Sequence, residues 1–460
     1  MPLIRYLVGS SVVAAPSVIL LTVILIGWLI PYILKGGKLP YQTIPLLAFF
    51  CGVLLSFAAA LWLPIPPLKE INPVTHSITA IITLVVGITF FLIPSVMIRG
   101  EESFKSTLRW ITLGGILILC WSFLQAAVWF GEGHYWNWMR DFQDLVSLGP
   151  LYRARVTGFA LEPSWLAHQM NMLYLPLWLA STVQRFSAYR IRIVGLTVEN
   201  LLAFTGSVIL FLSFSRIGWI AFFLSITFLF ILGNIKLVKW IFKRFDRQGQ
   251  KRGRLIAAGV SIILILFYIA AATGVVYIMS RIDPRMKDLF KPNFWQQGTA
   301  LVLANQLQFG ERVVYWQAGW EVFNCYPVLG VGPGNAGFFF SETIPSFGWK
   351  LIEVRRLMYR AGEIPNSKNL WVRLLAENGI IGLALFLSFI ATILQSCRHL
   401  RDNSSSITKT MGLMGLFVIL GLLAEGFSID SFALPYYWIS FGLVSSAAML
   451  MAEGQFAEIK

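Results

Sequence analysis

The sequence predicts an all-α, polytopic transmembrane helix bundle with one large, partly helical extracytoplasmic loop. The 460 residues are 57% hydrophobic and only 13% charged, whereas a soluble domain is about 25% charged. The apolar residues form continuous runs of about 20 residues, the length that crosses a bilayer as a helix. Only helices and closed barrels pair every backbone amide in lipid, and the runs do not alternate as barrel strands do.

About eleven runs, with a range of about 10–12, are long enough to be spans. We place them at 12–34, 43–63, 77–98, 109–130, 165–183, 196–214, 216–233, 255–278, 370–396, 410–427 and 433–451. The fifth is unusually polar because it contains His168, Gln169 and Asn171, and the sixth begins with Glu199 and Asn200. The first run is too long for a signal-peptide core, so we interpret it as a retained helix.

Loop charge predicts the orientation. The segment 234–254 contains eight Lys and Arg residues, which places it in the cytoplasm under the positive-inside rule. Counting outward puts 131–164 and 279–369 outside, the N-terminus outside and the C-terminus inside. Three regions follow: N-terminal spans at 1–278, an extracytoplasmic loop at 279–369 that caps the bundle, and C-terminal spans at 370–460. The net charge of +15 is explained by membrane topology, so no nucleic-acid partner is expected.

The first candidate functional residue is Arg216, which lies in the junction LSFSRIGW between two spans. An arginine at a helix end can simply extend to the interface. Alternatively, it faces an outer cavity, where its planar guanidinium suits bidentate binding of phosphate.

The predicted loop contains a second arginine and a Gly-rich turn. Residues 311–325 (ERVVYWQAGWEVFNC) approximate an amphipathic helix through Val313, Val314, Trp316, Trp320 and Phe323. Arg312 near its start either pairs with Glu311 in solvent or binds substrate. The turn GVGPGNAGF at 330–338 lacks the Gly-Lys-Ser/Thr ending of a P-loop, so it is either a tight turn or a close approach to a ligand.

Positive charge is concentrated before and inside the ninth span. The basic residues are Arg355, Arg356, Arg360, Lys368 and Arg373. They contact anionic lipid headgroups or bind a pyrophosphate. Within the span, Glu377 follows Arg373 by four residues, which is the spacing of a structural ion pair on a helix.

Glu162 and His168 stand at the entrance to the polar fifth span, in GFALEPSWLAHQMN. Pro163 suits the first turn of a helix. Glu162 is either a general base or a carboxylate that stabilises the helix start through the dipole, and His168 is either a buried structural histidine or a substrate contact. No CxxC, HExxH or DxD pattern occurs, so neither a metal site nor a cofactor is predicted.

Taken in order, SRIGW, ERxxxWxAxxxxFxxxPxxGxGPGN and KNLWVRLLAENGIIG resemble the O-antigen ligase and O-antigen polymerase superfamily, over roughly 158–395. The resemblance implies a metal-independent glycosyltransferase of the bacterial inner membrane with its active site at the periplasmic face. The implied partners are an undecaprenyl-diphosphate-linked glycan donor, a glycan acceptor, the bilayer, and other polysaccharide export or assembly proteins. Arg216 and Arg312 match the pyrophosphate-binding arginines of the family.

One departure concerns the general base. Family ligases carry a His-Asn pair before the last outer span, but this chain has Lys368-Asn369. Lys368 therefore acts as the base or only binds phosphate, and otherwise Glu162 or His168 is the base, with Glu162 favoured. The predicted catalytic residues are Glu162, Arg216, Arg312 and Lys368, and the predicted substrate-binding residues are His168, Tyr315, Arg355, Arg356 and Asn369. The missing histidine favours a polymerase or exopolysaccharide enzyme over a ligase.

Two other classes remain open from the sequence. A transporter of small anions such as bicarbonate would carry broken or charged helices at mid-membrane, often as paired repeats. A non-catalytic subunit of a polysaccharide assembly complex would need no site at all. An enzyme is distinguished by a cavity that is open to both the bilayer and the outer aqueous face.

Overall fold

The structure is a computed structural model that describes residues 16–189, 191–193, 195–245, 250–282 and 309–456. Its α-helices are α1 (Pro16–Ile24), α2 (Ile30–Leu34), α3 (Thr43–Ala60), α4 (Pro73–Met97), α5 (Glu101–Glu132), α6 (Asn137–Val146), α7 (Pro163–Gln169), α8 (Leu175–Gln184), α9 (Val198–Leu212), α10 (Arg216–Phe245), α11 (Gln250–Ile282), α12 (Gly310–Cys325), α13 (Phe340–Thr343), α14 (Ile352–Tyr359), α15 (Leu370–Asp402), α16 (Ser406–Glu425) and α17 (Pro435–Ala452). Shorter helical turns are the π-helical Leu25–Leu29 and Met170–Tyr174 and the 3-10 turns Ala336–Phe339 and Gly348–Lys350. In the described ranges the strands are Arg192–Ile193 and Leu196–Thr197, which pair antiparallel.

Several helices start where local side chains can cap them. The Asn72 side chain accepts hydrogen bonds from the backbone N–H groups of Val74 and Thr75, and Pro73 occupies the first turn of α4. The Asn369 side chain does the same at the start of α15. These residues satisfy amides that have no partner within the helix.

Six described helices are long and apolar enough to cross a membrane: Thr43–Ala60, Pro73–Met97, Glu101–Glu132, Arg216–Trp240, Leu370–Asp402 and Ser406–Glu425. A helix also lies at each of the other predicted spans, but these helices are shorter or less apolar. The all-α membrane bundle is therefore confirmed, whereas the count of about eleven spans stays a prediction.

The chain forms two compact units, of which the first combines Met1–Ala221 with Tyr315–Lys460. Its core contains buried aromatic rings from α3, α15 and α17, such as Phe49 and Phe386, whose ring centroids lie 5.3 Å apart. Close helix contacts depend on small residues, because a Cβ added at Gly442 of α17 would lie 2.5 Å from the Phe91 carbonyl oxygen in α4. In lipid such contacts stabilise mainly through van der Waals packing.

The second unit is Phe222–Val314. Within it, α10 and α11 contact each other where Asn234 donates a hydrogen bond to the Tyr268 hydroxyl. The Phe230 ring lies 6.0 Å from the same tyrosine ring. The predicted region boundaries at 278 and 369 stay predictions.

The loops of the first unit gather at two ends. At one end, Lys38 forms an ion pair with Glu453 at 3.3 Å, and Phe104 contacts Phe456. At the other, the Leu370 N–H donates to the Gly426 carbonyl oxygen at 2.7 Å. Which end faces the cytoplasm stays a prediction.

The helix predicted at 311–325 is present as α12, but its predicted apolar stripe was wrong at Trp320, whose side chain is 47% exposed. The buried face instead contains Tyr315, Ala318 and Val322. The reason is Gly319, where an added Cβ would lie 2.6 Å from a methyl carbon of Val372. This close approach turns the side of the helix that contains Gly319 toward α15 and leaves the large indole outside.

Candidate active site

Glu162 precedes α7 and has an extended backbone (φ −149°, ψ 161°). The predicted Pro163 lies in the first helical turn. The Glu162 carbonyl oxygen accepts hydrogen bonds from the N–H groups of Trp165 and Leu166, whereas its carboxylate accepts one from the Ser164 hydroxyl. Its carboxylate makes no capping hydrogen bond to the helix backbone. It is half-buried, so it remains available to a substrate.

The loop before Glu162 is held against the turn that leads to Arg216. Arg155 donates hydrogen bonds from its guanidinium to the carbonyl oxygens of Ser213 at 3.1 Å and Phe214 at 3.3 Å. The Val156 N–H also donates to the Leu212 carbonyl oxygen at 3.0 Å. These bonds bring together two segments that are separated by more than one span in the sequence.

The pKa of the Tyr152 hydroxyl depends on the charged side chains of this loop. Burial raises the pKa of its hydroxyl, the Glu162 carboxylate raises that pKa further, and the Arg155 guanidinium opposes the increase. The Tyr152 hydroxyl therefore lies close enough to Glu162 and Arg155 to interact electrostatically with both. A carboxylate, a phenol and a guanidinium thus share this end of the first unit.

Arg216 is the first residue of α10 and is half-buried. The adjacent Ser215 hydroxyl accepts a hydrogen bond from the Gly218 N–H at 3.4 Å. A Cβ added at Gly218 would lie 2.6 Å from the Ala167 Cβ, so α10 and α7 touch within their first two turns. Glu162 and Arg216 therefore start neighbouring helices at the same end of the bundle. A helix N-terminus with an arginine attracts an anion through the helix dipole and the guanidinium.

His168 and Glu425 form a buried hydrogen-bonded pair. His168 Nδ1 is 2.5 Å from Glu425 Oε2, and both side chains are almost completely buried. Asn171 donates from Nδ2 to Glu425 Oε1 at 2.6 Å and to the Gly218 carbonyl oxygen at 2.8 Å. This network spans three helices, so the structure supports the interpretation of His168 as a structural residue, and a substrate contact stays a prediction.

The helix that carries His168 is interrupted directly after it. Residues Met170–Tyr174 form a π-helical turn between α7 and α8, a local irregularity that is frequent near functional sites. The Ser440 hydroxyl donates to the Met172 carbonyl oxygen at 2.6 Å. Two of the polar residues that made the fifth span unusual, His168 and Asn171, thus form hydrogen bonds to Glu425 beside this interruption.

Lys368 has a positive φ of 49°, and its Nζ lies 2.6 Å from Glu353 Oε1. The same Nζ lies 5.1 Å from the centre of the Tyr315 ring. Two of the predicted residues, Lys368 and Tyr315, are therefore brought together. Asn369 is buried, and its side chain caps α15, so it has a structural role and its contact with substrate stays a prediction.

The Gly-rich turn joins α15 to the preceding loop. Helix α15 is broken at Gly379 (φ 64°, ψ −168°). The Val331 N–H donates to the Ala376 carbonyl oxygen at 3.0 Å, and the Gly332 N–H donates to the Glu377 carbonyl oxygen at 2.9 Å. Carbonyl oxygens that the break leaves unpaired are thereby satisfied. The turn thus has a structural role in joining the broken helix to the preceding loop.

Substituting Gly379 tests this junction. We expect Gly379→Ala to lower the unfolding temperature of the purified protein clearly, because the added Cβ would lie 2.1 Å from the Val328 carbonyl oxygen and the backbone conformation costs a side-chain-bearing residue about 1–3 kcal/mol. The matched control is Gly131→Ala in α5, where nothing lies within 4 Å of the added atom. Equal unfolding temperatures for the two variants would contradict this role.

The predicted ion pair within the ninth span is confirmed. Arg373 Nε lies 3.0 Å from Glu377 Oε2, and its Nη1 donates to the Asp430 carbonyl oxygen at 2.7 Å. Glu377 is buried, which agrees with its structural interpretation. A buried charge of this kind is stable only when it is paired.

The other predicted residues lie elsewhere on the chain. Arg312 lies in the first turn of α12, and its guanidinium carbon is 6.0 Å from the centre of the Phe309 ring. Arg355 and Arg356 are exposed on α14 and line one open cavity. Among the described residues, no group of three or more His, Cys, Asp or Glu side chains comes close enough to hold a metal ion.

Sequence reasoning missed Glu425, Asp430 and Arg155. Glu425 is at the end of α16 and Asp430 follows in the next connection. A single carboxylate at the end of an apolar span is a usable signal, because it needs a partner in lipid. Arg155 had no such signal, since an arginine in a polar loop is ordinarily solvated.

A comparison with known protein families covers those site residues that follow residue 200. Residues 201–387 match the family model of the O-antigen ligases. The matched range contains Arg216, Arg312 and Lys368, whereas Glu162 and His168 precede it. Among proteins of curated function, none matches the chain. The resemblance to the O-antigen ligase and polymerase superfamily is confirmed, and with the apolar helices it supports a multi-pass inner-membrane enzyme of O-antigen assembly.

Proposed function

We propose that this protein transfers a glycan from an undecaprenyl-diphosphate-linked donor to a sugar hydroxyl on an acceptor, at the periplasmic face, in O-antigen or exopolysaccharide synthesis. The observation that carries the proposal is the match at 201–387 to the O-antigen ligases. The packing of the Glu162 loop on the Arg216 turn supports it, because a base and an anion-binding arginine are then neighbours.

The proposed reaction exchanges one bond for another. The acceptor hydroxyl gives its proton to the Glu162 carboxylate, and its oxygen forms a bond to the first carbon of the donor glycan. The bond from that carbon to the diphosphate oxygen breaks, and the electron pair stays on the diphosphate. Arg216 stabilises the negative charge that develops there, which is often the largest single contribution to catalysis.

We assign the base to Glu162 rather than to Lys368. Lys368 Nζ lies 2.6 Å from Glu353 Oε1 and 5.1 Å from the centre of the Tyr315 ring. The Lys368 amine is therefore already engaged by a carboxylate and an aromatic ring, and it is not directed at an acceptor hydroxyl. Glu162 is half-buried and has a hydroxyl donor in Ser164, so it is oriented and still reachable.

One observation favours a transporter as a second candidate. Two described helices are interrupted, at Gly379 and at Met170–Tyr174, and interrupted helices line the sites of many transporters. However, the buried groups beside these breaks bind one another: Glu377 pairs with Arg373, and Glu425 contacts His168 and Asn171. The Arg373 guanidinium is thus engaged by Glu377 and by the Asp430 carbonyl oxygen rather than directed at a small anion, so the enzyme is the better-supported function.

In vitro transfer tests the proposal. Purified protein in detergent is supplied with lipid-diphosphate-linked oligosaccharide from its host, and products are read as a glycan ladder by gel and mass spectrometry. We expect a ladder with the wild-type protein that survives EDTA. Arg216→Ala should slow transfer about 10²–10³-fold, and Arg216→Lys, which keeps the charge but not the bidentate fork, should recover part of it.

The matched control is Arg398→Ala, which removes an exposed arginine at the predicted cytoplasmic end of the bundle. It should leave the ladder unchanged. A ladder of equal intensity with Arg216→Ala and with wild-type protein would refute the role of Arg216. A silent wild-type protein, combined with anion uptake into proteoliposomes, would replace the enzyme by the transporter.

A further inference from the structure

Helix α14 presents one unusual face to solvent. Ile352, Arg355, Arg356 and Tyr359 follow the spacing i, i+3, i+4 and i+7, which places them on one side of a helix. Together with Arg360 they line one open cavity, and we call these five residues the arginine face. Val354 and Met358 are buried at 0% and 2% exposure and attach the opposite side of the helix to the protein.

The positive charge of the arginine face is not neutralised by the protein. The segment 345–369 contains five Lys and Arg residues and two Glu residues. Both carboxylates are already engaged, because Glu353 pairs with Lys368 at 2.6 Å and Glu363 interacts electrostatically with Lys69. Within the described part of the chain, none of the three arginines forms an ion pair with a carboxylate. The face therefore has charge available for an anionic ligand.

The face is also held in place. Lys69 donates hydrogen bonds from Nζ to the carbonyl oxygens of Leu357 and Glu363, which fixes the C-terminal end of α14 to the loop before α4. The rings of Trp349 and Tyr359 lie 5.8 Å apart at an interplanar angle of 33°. A helix that is fixed in this way loses little conformational entropy when a ligand binds.

The spacing of the arginines indicates a polymer rather than one compact anion. Arg355 and Arg356 lie within α14 and Arg360 follows its last residue, so the backbone positions of the three arginines are spread over about 7.5 Å at the rise of a helix. That spread suits the successive charges of a polymer. Arginine forks bind carboxylates in a bidentate manner. The adjacent rings of Tyr359 and Trp349 and the exposed Ile352 offer apolar surface to the faces of sugar rings.

We propose that the arginine face binds the carboxylate groups of an acidic glycan, such as a chain that contains uronic acids. There it holds the acceptor or the growing product of the proposed reaction. The inference rests on the proposed function for the identity of the polymer. It reassigns Arg355 and Arg356 from the diphosphate to the sugar portion of the substrate and adds Arg360, Tyr359 and Trp349.

Direct binding tests this inference without any turnover. The full chain in detergent is titrated with an oligogalacturonate and with a neutral glucan oligomer of the same length, at low and at raised salt. We expect the acidic oligomer to bind and the neutral one not to bind, with affinity falling as salt rises. The triple variant Arg355→Ser, Arg356→Ser, Arg360→Ser should weaken binding by at least about tenfold.

The control is the triple variant Lys35→Ser, Arg185→Ser, Arg398→Ser, which removes the same charge from exposed residues at the other end of the bundle. It should bind like wild type. Equal binding of neutral and acidic oligomers, or equal weakening by both triple variants, would overturn the inference. The inference would also be overturned if the arginine face were needed only for binding to phosphatidylglycerol vesicles, since a lipid surface would then be its partner.

The two proposals fail separately. If the oligogalacturonate binds through the arginine face while no transfer occurs with any donor, the acidic-glycan site stands and the enzyme does not. If transfer occurs and is unchanged in the triple variant, while the oligogalacturonate does not bind, the enzyme stands and the acidic-glycan site is refuted.

Discussion

Glu162→Gln should abolish most glycan transfer while leaving donor binding intact. Glutamine keeps the size of the side chain and can still accept the hydrogen bond from Ser164, but it cannot take the proton of the acceptor hydroxyl. General-base catalysis contributes about 10²–10⁴-fold, so we expect kcat to fall within that range. The measurement is the rate of ladder formation at saturating donor, together with donor affinity determined separately.

Two further variants sharpen this prediction. Glu342→Gln removes another carboxylate, one that is exposed, and should leave the rate unchanged. Ser164→Ala removes only the hydroxyl that orients the base and should therefore reduce kcat less than Glu162→Gln does. If Glu162→Gln transfers glycan at the wild-type rate, the base lies elsewhere, and His168 becomes the next residue to test.

Breaking the buried pair of His168 and Glu425 should destabilise the first unit strongly. Glu425→Ala leaves His168 and Asn171 without the carboxylate that both contact. A buried polar group that loses its hydrogen-bond partner costs about 1–3 kcal/mol, and Glu425→Ala leaves two such groups. We expect a large fall in the apparent unfolding temperature of the detergent-purified protein.

A double variant separates the energy of the interaction between His168 and Glu425 from the energy of the contacts that each makes with its surroundings. Combining His168→Leu with Glu425→Leu removes both polar groups, and the loss should be smaller than the sum of the two single losses. The matched control is Glu453→Ala, whose partner Lys38 is 81% exposed, so that this surface pair contributes little. Equal effects of Glu425→Ala and Glu453→Ala would show that the buried network carries no special stability.

Much of the fold could be predicted because its signals are local. Apolar runs long enough to cross lipid, Asn72-Pro73 before α4 and the Gly-rich turn at 330–338 all act within a few residues. The pair of Arg373 and Glu377 belongs to this class, since a spacing of four residues places both side chains on one side of a helix. The predicted apolar stripe on α12 was wrong at Trp320 because Gly319, and not the largest side chains, decides which side of the helix packs against α15.

The site was predictable only in part. The order of SRIGW, the helix with Arg312 and the segment after Lys368 indicated a resemblance to the O-antigen ligases, and the match of residues 201–387 to their family model confirms that resemblance. The partner of His168 was not predictable, because Glu425 is 257 residues away. Nor could the sequence show that Arg155 would hold the turn before Arg216, since the bond depends on how α5, α7 and α9 pack.

The membrane class, the positions of most helices and the resemblance to a family thus follow from the order of the residues alone. Hydropathy and helical periodicity act over about 20 residues, so they can be recognised in the sequence. Three relations required the folded chain: Glu162 and Arg216 start helices that touch, Lys368 pairs with Glu353, and His168 is hydrogen-bonded to Glu425. Those relations arise where distant segments approach within a few ångströms, and small residues such as Gly218 decide how closely they can do so.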